Sequence, residues 1–210
     1  MPENIHSMKT FRMLNLGDSY TIGESVLAEE NFPNQLCAKL KSAGIEIAKP
    51  EIIAKTGWTT DELLNAVAQH SFAPPYKLVT LLIGVNNQYR DKSIDEYRIE
   101  FRSLLDLAII YSNNKPDHVL VISIPDWGVM PFAEGRDRNK IATEIDAFNK
   151  VNYEEALKSN CEYCNITSIS RHAGIDLLLV ADDGLHPSPF QYSKWVDSIF
   201  PLAKNILVNG

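Results

Sequence analysis

A three-layer α/β/α domain built on a parallel sheet of about five strands is the fold this sequence predicts. Three observations lead there. Short apolar runs alternate along the chain with stretches of helical periodicity, as they do when parallel strands are joined by crossover helices. Two of those runs, Lys77–Ile83 (KLVTLLI) and His118–Ile124 (HVLVISI), are apolar almost throughout, as strands buried on both faces are. The length, 210 residues, suits one domain whose core needs no staple. Crossovers between parallel strands are right-handed, which leaves few topologies, and a flavodoxin-like order 2-1-3-4-5 is expected.

The elements follow in order. Residues 1–9 read as a flexible N-terminal extension of a single domain covering 1–210. Phe11–Leu16 is the first strand. Pro33–Ala43 is a helix, with Pro early, Leu36, Cys37 and Leu40 on one face and Gly44 as its stop. Ile45–Ala54 holds the second strand, blurred at its start by Pro50. Thr59–Glu62 is a capping box ahead of a helical stripe of Leu63, Leu64 and Val67. Lys77–Ile83 is the third strand. Ser93–Glu96 is a second capping box, opening a helix with Tyr97, Phe101, Leu104, Leu105 and Ala108 inward. His118–Ile124 is the fourth strand, and Ile141–Leu157 a long helix with Ile145, Phe148 and Val151 inward. Glu162–Thr167 is a weaker fifth strand. Phe190–Leu207 closes the chain as a helix.

Composition narrows the function. The formal charge is −7, and no run of five Lys/Arg occurs, so the chain is not built to hold nucleic acid. No apolar stretch reaches the roughly 18 residues of a membrane span. The N-terminus lacks the apolar core of a signal peptide, which points to the cytoplasm. Three cysteines make no disulfide framework. Cys161 and Cys164 are spaced C-x-x-C, but no second pair and no suitably spaced histidines complete a zinc site, so they read as structural thiols. No metal or other cofactor is expected, since metal-ligand clusters and a Gly-rich phosphate loop are both absent. No pattern in the chain specifies an oligomeric state.

In a 2-1-3-4-5 sheet, ligands bind at the carboxyl ends of strands one and three, where the strand order reverses. The loop after strand one is Gly17-Asp18-Ser19-Tyr20. Ser19 suits a nucleophile whose own amide faces the same cavity; equally, it suits a helix cap. The loop after strand three is Gly84-Val85-Asn86-Asn87. Asn86 there can aim a neutral donor into the cavity, and the pair can also form a turn. The loop after strand two offers the Gly57 N–H at a helix start, or simply a turn residue. Five histidines exist: His6 near the terminus, His70 closing a helix, His118 starting a strand, His172 after strand five, and His186. His186 stands in Asp182-Asp183-Gly184-Leu185-His186-Pro187. A carboxylate three residues upstream, with glycine between, can fold back on the imidazole and fix its tautomer. Asp183 fits that role better than Asp182. A surface loop with a free histidine is the plainer alternative.

Taken together, GDSY at 17–20, the glycine of TGWTT at 57, GVNN at 84–87 and DGLHPS at 183–188 resemble the SGNH (GDSL-type) hydrolase superfamily. The resemblance implies a serine hydrolase with Ser19 as nucleophile, His186 as general base and then acid, and Asp183 as its orienter. It implies an oxyanion hole from Ser19 N–H, Gly57 N–H and the Asn86 side chain. One departure stands out: Asn87 replaces the aspartate usual in G-x-N-D, which bears on loop geometry beside the hole.

The expected partner is a small-molecule ester, with a short acyl or O-acetyl group favoured over a lysophospholipid or thioester. Trp127, Met130 and Phe132, after strand four, are candidate pocket residues, or they pack that loop onto the core. Arg136 and Arg138 either meet an anionic substrate or are solvated. Two rival readings are a non-catalytic binding domain on the same fold, and phosphoryl transfer through Asp18.

Overall fold

The computed structural model describes residues 10–210. The extension at 1–9, and His6 within it, lie outside the described residues. Five parallel strands stand in the order β2-β1-β3-β4-β5: β1 Met13–Gly17, β2 Glu51–Ala54, β3 Leu78–Leu82, β4 Val119–Ile122 and β5 Glu162–Cys164. Every residue of β1, β3 and β4 is buried, which is why those runs carry no polar face. Helix α2 (Phe32–Ser42) packs with α8 (Pro189–Asn209), and α5 (Ile94–Tyr111) packs with both α3 (Thr60–Gln69) and α6 (Arg138–Lys158). These groups cover the two faces of the sheet and complete the three layers.

Local chemistry sets the helix starts. The Asn31 side chain accepts from Asn34 N–H at 3.0 Å, and Pro33 sits in the first turn of α2. Glu62 reaches back to accept from Thr59 N–H at 2.9 Å ahead of α3. The expected box at Ser93 does not form; its hydroxyl caps nothing, and Asp95 and Glu96 in the first turn answer the helix dipole instead.

Other boundaries shift for identifiable reasons. Residues 45–50 make one bridge, Ile47 with Phe11, and the strand proper starts after Pro50, which has no N–H to donate. The fifth strand stops at Cys164. Thr167 instead opens the short helix α7 (Thr167–Ser170), because its N–H and hydroxyl are drawn to Ser123 Oγ at 3.1 and 2.8 Å. Cys161 and Cys164 are free, and burial pushes their thiols up to about 12 and 11, so neither supplies thiolate at neutral pH.

The register decides where chemistry can occur. Gly17 lies level with Ala54 on one side and Leu82 on the other. The loops leaving β1, β2 and β3 therefore emerge side by side at one edge. Gly17 itself has no room for a side chain: a Cβ would stand 2.5 Å from the Leu82 carbonyl and 2.1 Å from Thr21 Oγ1. We expect Gly17→Ala to lower stability by about 2–4 kcal/mol, because backbone on the neighbouring strand must move. A urea melt reads this as a lower midpoint with the slope unchanged.

Candidate active site

Ser19 is the first residue of a single-turn helix, α1 (Ser19–Ile22), that starts directly after β1. Asp18 caps the turn, accepting from Tyr20 N–H at 3.0 Å, and Gly23 ends it at φ +77°. The Ser19 side chain is thereby fixed over the sheet edge, buried but lining a cavity. Asp18 turns the other way. It is wholly buried, and burial pushes its carboxyl up to about 7 despite bonds from Tyr20 N–H and from the Asn86 amide.

His186 arrives from the far end of the chain. Val180 and Pro187 form an antiparallel bridge, and Ala181 N–H donates to the His186 carbonyl at 2.9 Å. Gly184, at φ +71°, makes the bend between them. His186 Nε2 stands 2.9 Å from Ser19 Oγ, and His186 Nδ1 stands 2.6 Å from Asp183 Oδ2. Asp183 Oδ1 accepts from Leu185 N–H and His186 N–H, at 2.9 Å each. Partial burial opposes ionisation of Asp183. The His186 ring and backbone, Leu185 N–H and the Ser25 hydroxyl outweigh it and hold the carboxyl well below its ordinary range. Asp182 is exposed and takes no part. His70 pairs with Glu51, His118 with Lys77, and His172 is exposed on the short 3₁₀ helix Arg171–Gly174.

The polar wall opposite is built by the loops after β2 and β3. Gly57 is at φ +83°, a conformation that favours glycine even though a Cβ would meet nothing closer than 3.5 Å. Arg90 donates to the Gly57 carbonyl at 2.6 Å, holding that peptide in place. Asn86 begins its reach from α4 (Val85–Tyr89), and its amide donates to the Trp58 carbonyl at 3.0 Å, with Asp18 Oδ2 farther off at 3.5 Å.

Asn87 faces away from the cavity. Its carbonyl oxygen accepts from Thr60 N–H at 3.1 Å, and its amide donates to Thr60 Oγ1 at 2.6 Å. Thr60 Oγ1 in turn donates to Glu100. The chain of bonds therefore runs from amide to hydroxyl to carboxylate. An aspartate at 87 would set two carboxylates competing for one hydroxyl proton.

A cavity of about 180 Å³ collects these groups. Ser19, His186, Gly57 and Asn86 line it together with Tyr20, Thr56, Val85, Tyr89, Trp127, Phe132 and Leu185. Trp127 is oriented by its indole N–H, which donates to Gln88 Oε1 at 2.7 Å. Phe132 is carried by Pro131–Ala133, whose Phe132 N–H donates to the Gly184 carbonyl at 3.0 Å. Met130 is not part of this cavity. It is fully buried in a separate apolar cluster with Ala173 and Leu179, because the turn after Trp127 points it inward. Arg138 donates to the carbonyls of Val129 and Met130 and ties that loop down. Arg136 lies over the rings of Tyr89, Trp127 and Phe132 at 5.1, 5.3 and 5.8 Å from their centroids.

Sequence reasoning missed Tyr89, Arg90 and Ser25. Tyr89 had a signal, four residues after Val85 on one helix face. Arg90 and Ser25 act across long separations and had none.

Comparison with known proteins bears on the family and the fold. A family model described as GDSL-like lipase/acylhydrolase matches residues 16–194. The chain belongs to this family. No curated protein matches it in sequence. Solved structures of similar fold include TesA, with TM-score 0.72 and 17% identity over 93% of this chain and 99% of that one. Axe2, an acetylxylan esterase from Geobacillus stearothermophilus, aligns with TM-score 0.72 and 16% identity over 93% of this chain and 95% of its own. A lipase/acylhydrolase from Enterococcus faecalis aligns with TM-score 0.72 and 20% identity over 94% and 96%. This GDSL-type chain therefore shares the SGNH hydrolase fold across nearly its whole length. Among its described residues no helix is long and apolar enough to cross a membrane.

Asn87→Asp puts a carboxylate where an amide N–H now donates to Thr60 Oγ1, and it should destabilise the protein. We expect a loss of about 1–3 kcal/mol at pH 8, as one oxygen of the two carboxylates that share the Thr60 hydroxyl is left without a donor. The new carboxyl would titrate higher in the folded than in the unfolded state. The loss should therefore shrink as pH falls toward 4 and that carboxyl regains its proton, which paired urea melts at the two pH values measure.

Proposed function

We propose that this protein is a serine esterase that hydrolyses a short-chain carboxylic ester, or an O-acetyl ester, through an acyl-enzyme on Ser19. One observation carries the reading: an unbroken chain from Ser19 Oγ to His186 Nε2 at 2.9 Å and from His186 Nδ1 to Asp183 Oδ2 at 2.6 Å, open to a cavity. Family membership and the esterase structures of the same fold support it.

Ser19 Oγ attacks the ester carbonyl carbon while its proton passes to His186 Nε2. Asp183 accepts from the other ring nitrogen and stabilises the imidazolium that forms. The carbonyl oxygen becomes an oxyanion, met by Ser19 N–H, Gly57 N–H and the Asn86 amide, which keeps its 3.0 Å bond to the Trp58 carbonyl and turns its other hydrogen from the long 3.5 Å contact with Asp18 to the oxyanion. The intermediate collapses, the C–O bond to the alcohol breaks, and His186 returns the proton to the leaving oxygen. Water then attacks the acyl-serine with His186 again as base, releasing the acid and restoring Ser19.

The cavity volume supports a short acyl group. About 180 Å³ lies below the roughly 300–1,000 Å³ of pockets that enclose drug-sized ligands. Trp127 and Phe132 bound it on one side.

Two measurements test this reading together. A fluorophosphonate should form a single adduct, on Ser19; a folded protein that takes none would instead be a binding domain. On p-nitrophenyl acetate, Ser19→Ala should lose at least about 10⁴ in kcat, and Asn86→Ala about 10²–10³.

A further inference from the structure

The turn that follows α1 reaches both sides of the cleft with adjacent residues. Glu24 accepts from the Thr56 hydroxyl, next to Gly57. Ser25 Oγ donates to Asp183 Oδ2 at 2.7 Å, across 158 residues of sequence. That oxygen is the same one that receives His186 Nδ1 at 2.6 Å. The other carboxylate oxygen is taken by two backbone N–H groups of the Asp183 loop itself. Ser25 is thus the one donor to Asp183, among the described residues, that comes from outside its loop.

The backbone at Ser25 strengthens the point. Its φ is +67°, a left-handed conformation that glycine adopts freely and serine does not. The turn is closed by Val26 N–H donating to the Gly23 carbonyl at 3.3 Å, and nothing in that closure needs a side chain at 25. A strained serine stands where a glycine would serve the turn, and its hydroxyl reaches the carboxylate that orients the histidine.

We propose that Ser25 is a positioning residue for the esterase reaction, holding Asp183 in the orientation that aims His186 Nε2 at Ser19; this rests on the roles proposed above for those three residues. With the Ser25 hydroxyl in place, Oδ2 has two fixed donors at a set angle, and rotation of the carboxylate breaks both bonds. Without it, only the imidazole holds that oxygen, and the solvent-facing edge of Asp183 is left to water. Glu24, on the preceding residue, anchors the same turn to the loop that carries Gly57. The distance between the two halves of the cleft is therefore set from one short segment.

Ser25→Gly separates positioning from structure. It removes the hydroxyl while relieving the left-handed backbone, so the melting temperature should stay at or near that of the parent. We expect kcat for p-nitrophenyl acetate to fall about 3- to 10-fold, the scale of one net hydrogen bond, with KM little changed. Ser25→Ala should lose kcat to the same degree but melt lower, since it keeps the strain. In an Asp183→Asn background, Ser25→Gly should have no further effect on kcat, because the two substitutions interrupt one pathway. Full kcat in Ser25→Gly, or an equal loss with and without the Asp183 carboxylate, would overturn the proposal. Ser19→Ala with undiminished activity would instead defeat the underlying assignment, which keeps the two failures apart.

Discussion

The contact between Ser19 and His186 depends on bringing together segments 167 residues apart, and that proximity is the constraint around which the cleft is organised. Neither loop makes it alone. Helix α8 does most of the joining: Tyr192 donates its hydroxyl to the Tyr20 carbonyl at 3.0 Å, and Trp195 packs against the Tyr20 ring. Tyr20 in turn lies against the His186 ring, with centroids 5.0 Å apart. The residue after the serine is thus clamped to the helix that follows the histidine. Burial of three aromatic side chains supplies the energy for this join, several kcal/mol in all by area.

The parallel register supplies the other half. Because Gly17, Ala54 and Leu82 end level, three backbone segments turn at the same height, and each presents one group to the same small volume. Their arrangement is fixed by bonds behind the cavity rather than inside it. Arg90 holds the Gly57 carbonyl, Trp58 holds the Asn86 amide, and Thr60 and Glu100 hold Asn87. Donors fixed before a substrate arrives need no reorganisation when charge develops, which is the condition for strong electrostatic stabilisation.

Two carboxylates near the serine have opposite environments. Asp183 is surrounded by donors and stays ionised well into acid; Asp18 is wholly buried with few donors and takes up a proton near neutrality. Asp183 contributes stability above the ordinary carboxylate range and loses it as pH falls. Asp18, with its folded value raised, contributes most below that range and loses its contribution as pH rises through about 7.

The layers, the strand order and the positions of Ser19, Gly57, Asn86, Asp183 and His186 were legible in the sequence, because apolar periodicity is local and short motifs mark the ends of strands. Boundaries were less so. Ser123 draws Thr167 out of the fifth strand, and that bond joins residues 44 apart. Met130 shows the same limit: an apolar residue in a loop beside the cavity faces either the cavity or the core, and only the turn after Trp127 decides it. Sequence by itself determined which residue types stand at the strand ends, since backbone propensity and burial pattern act over a few neighbours. Tertiary structure decided the aim of each side chain and the donors behind it, Ser25, Arg90 and Glu100 among them, since those bonds form only once distant loops share one edge of the sheet.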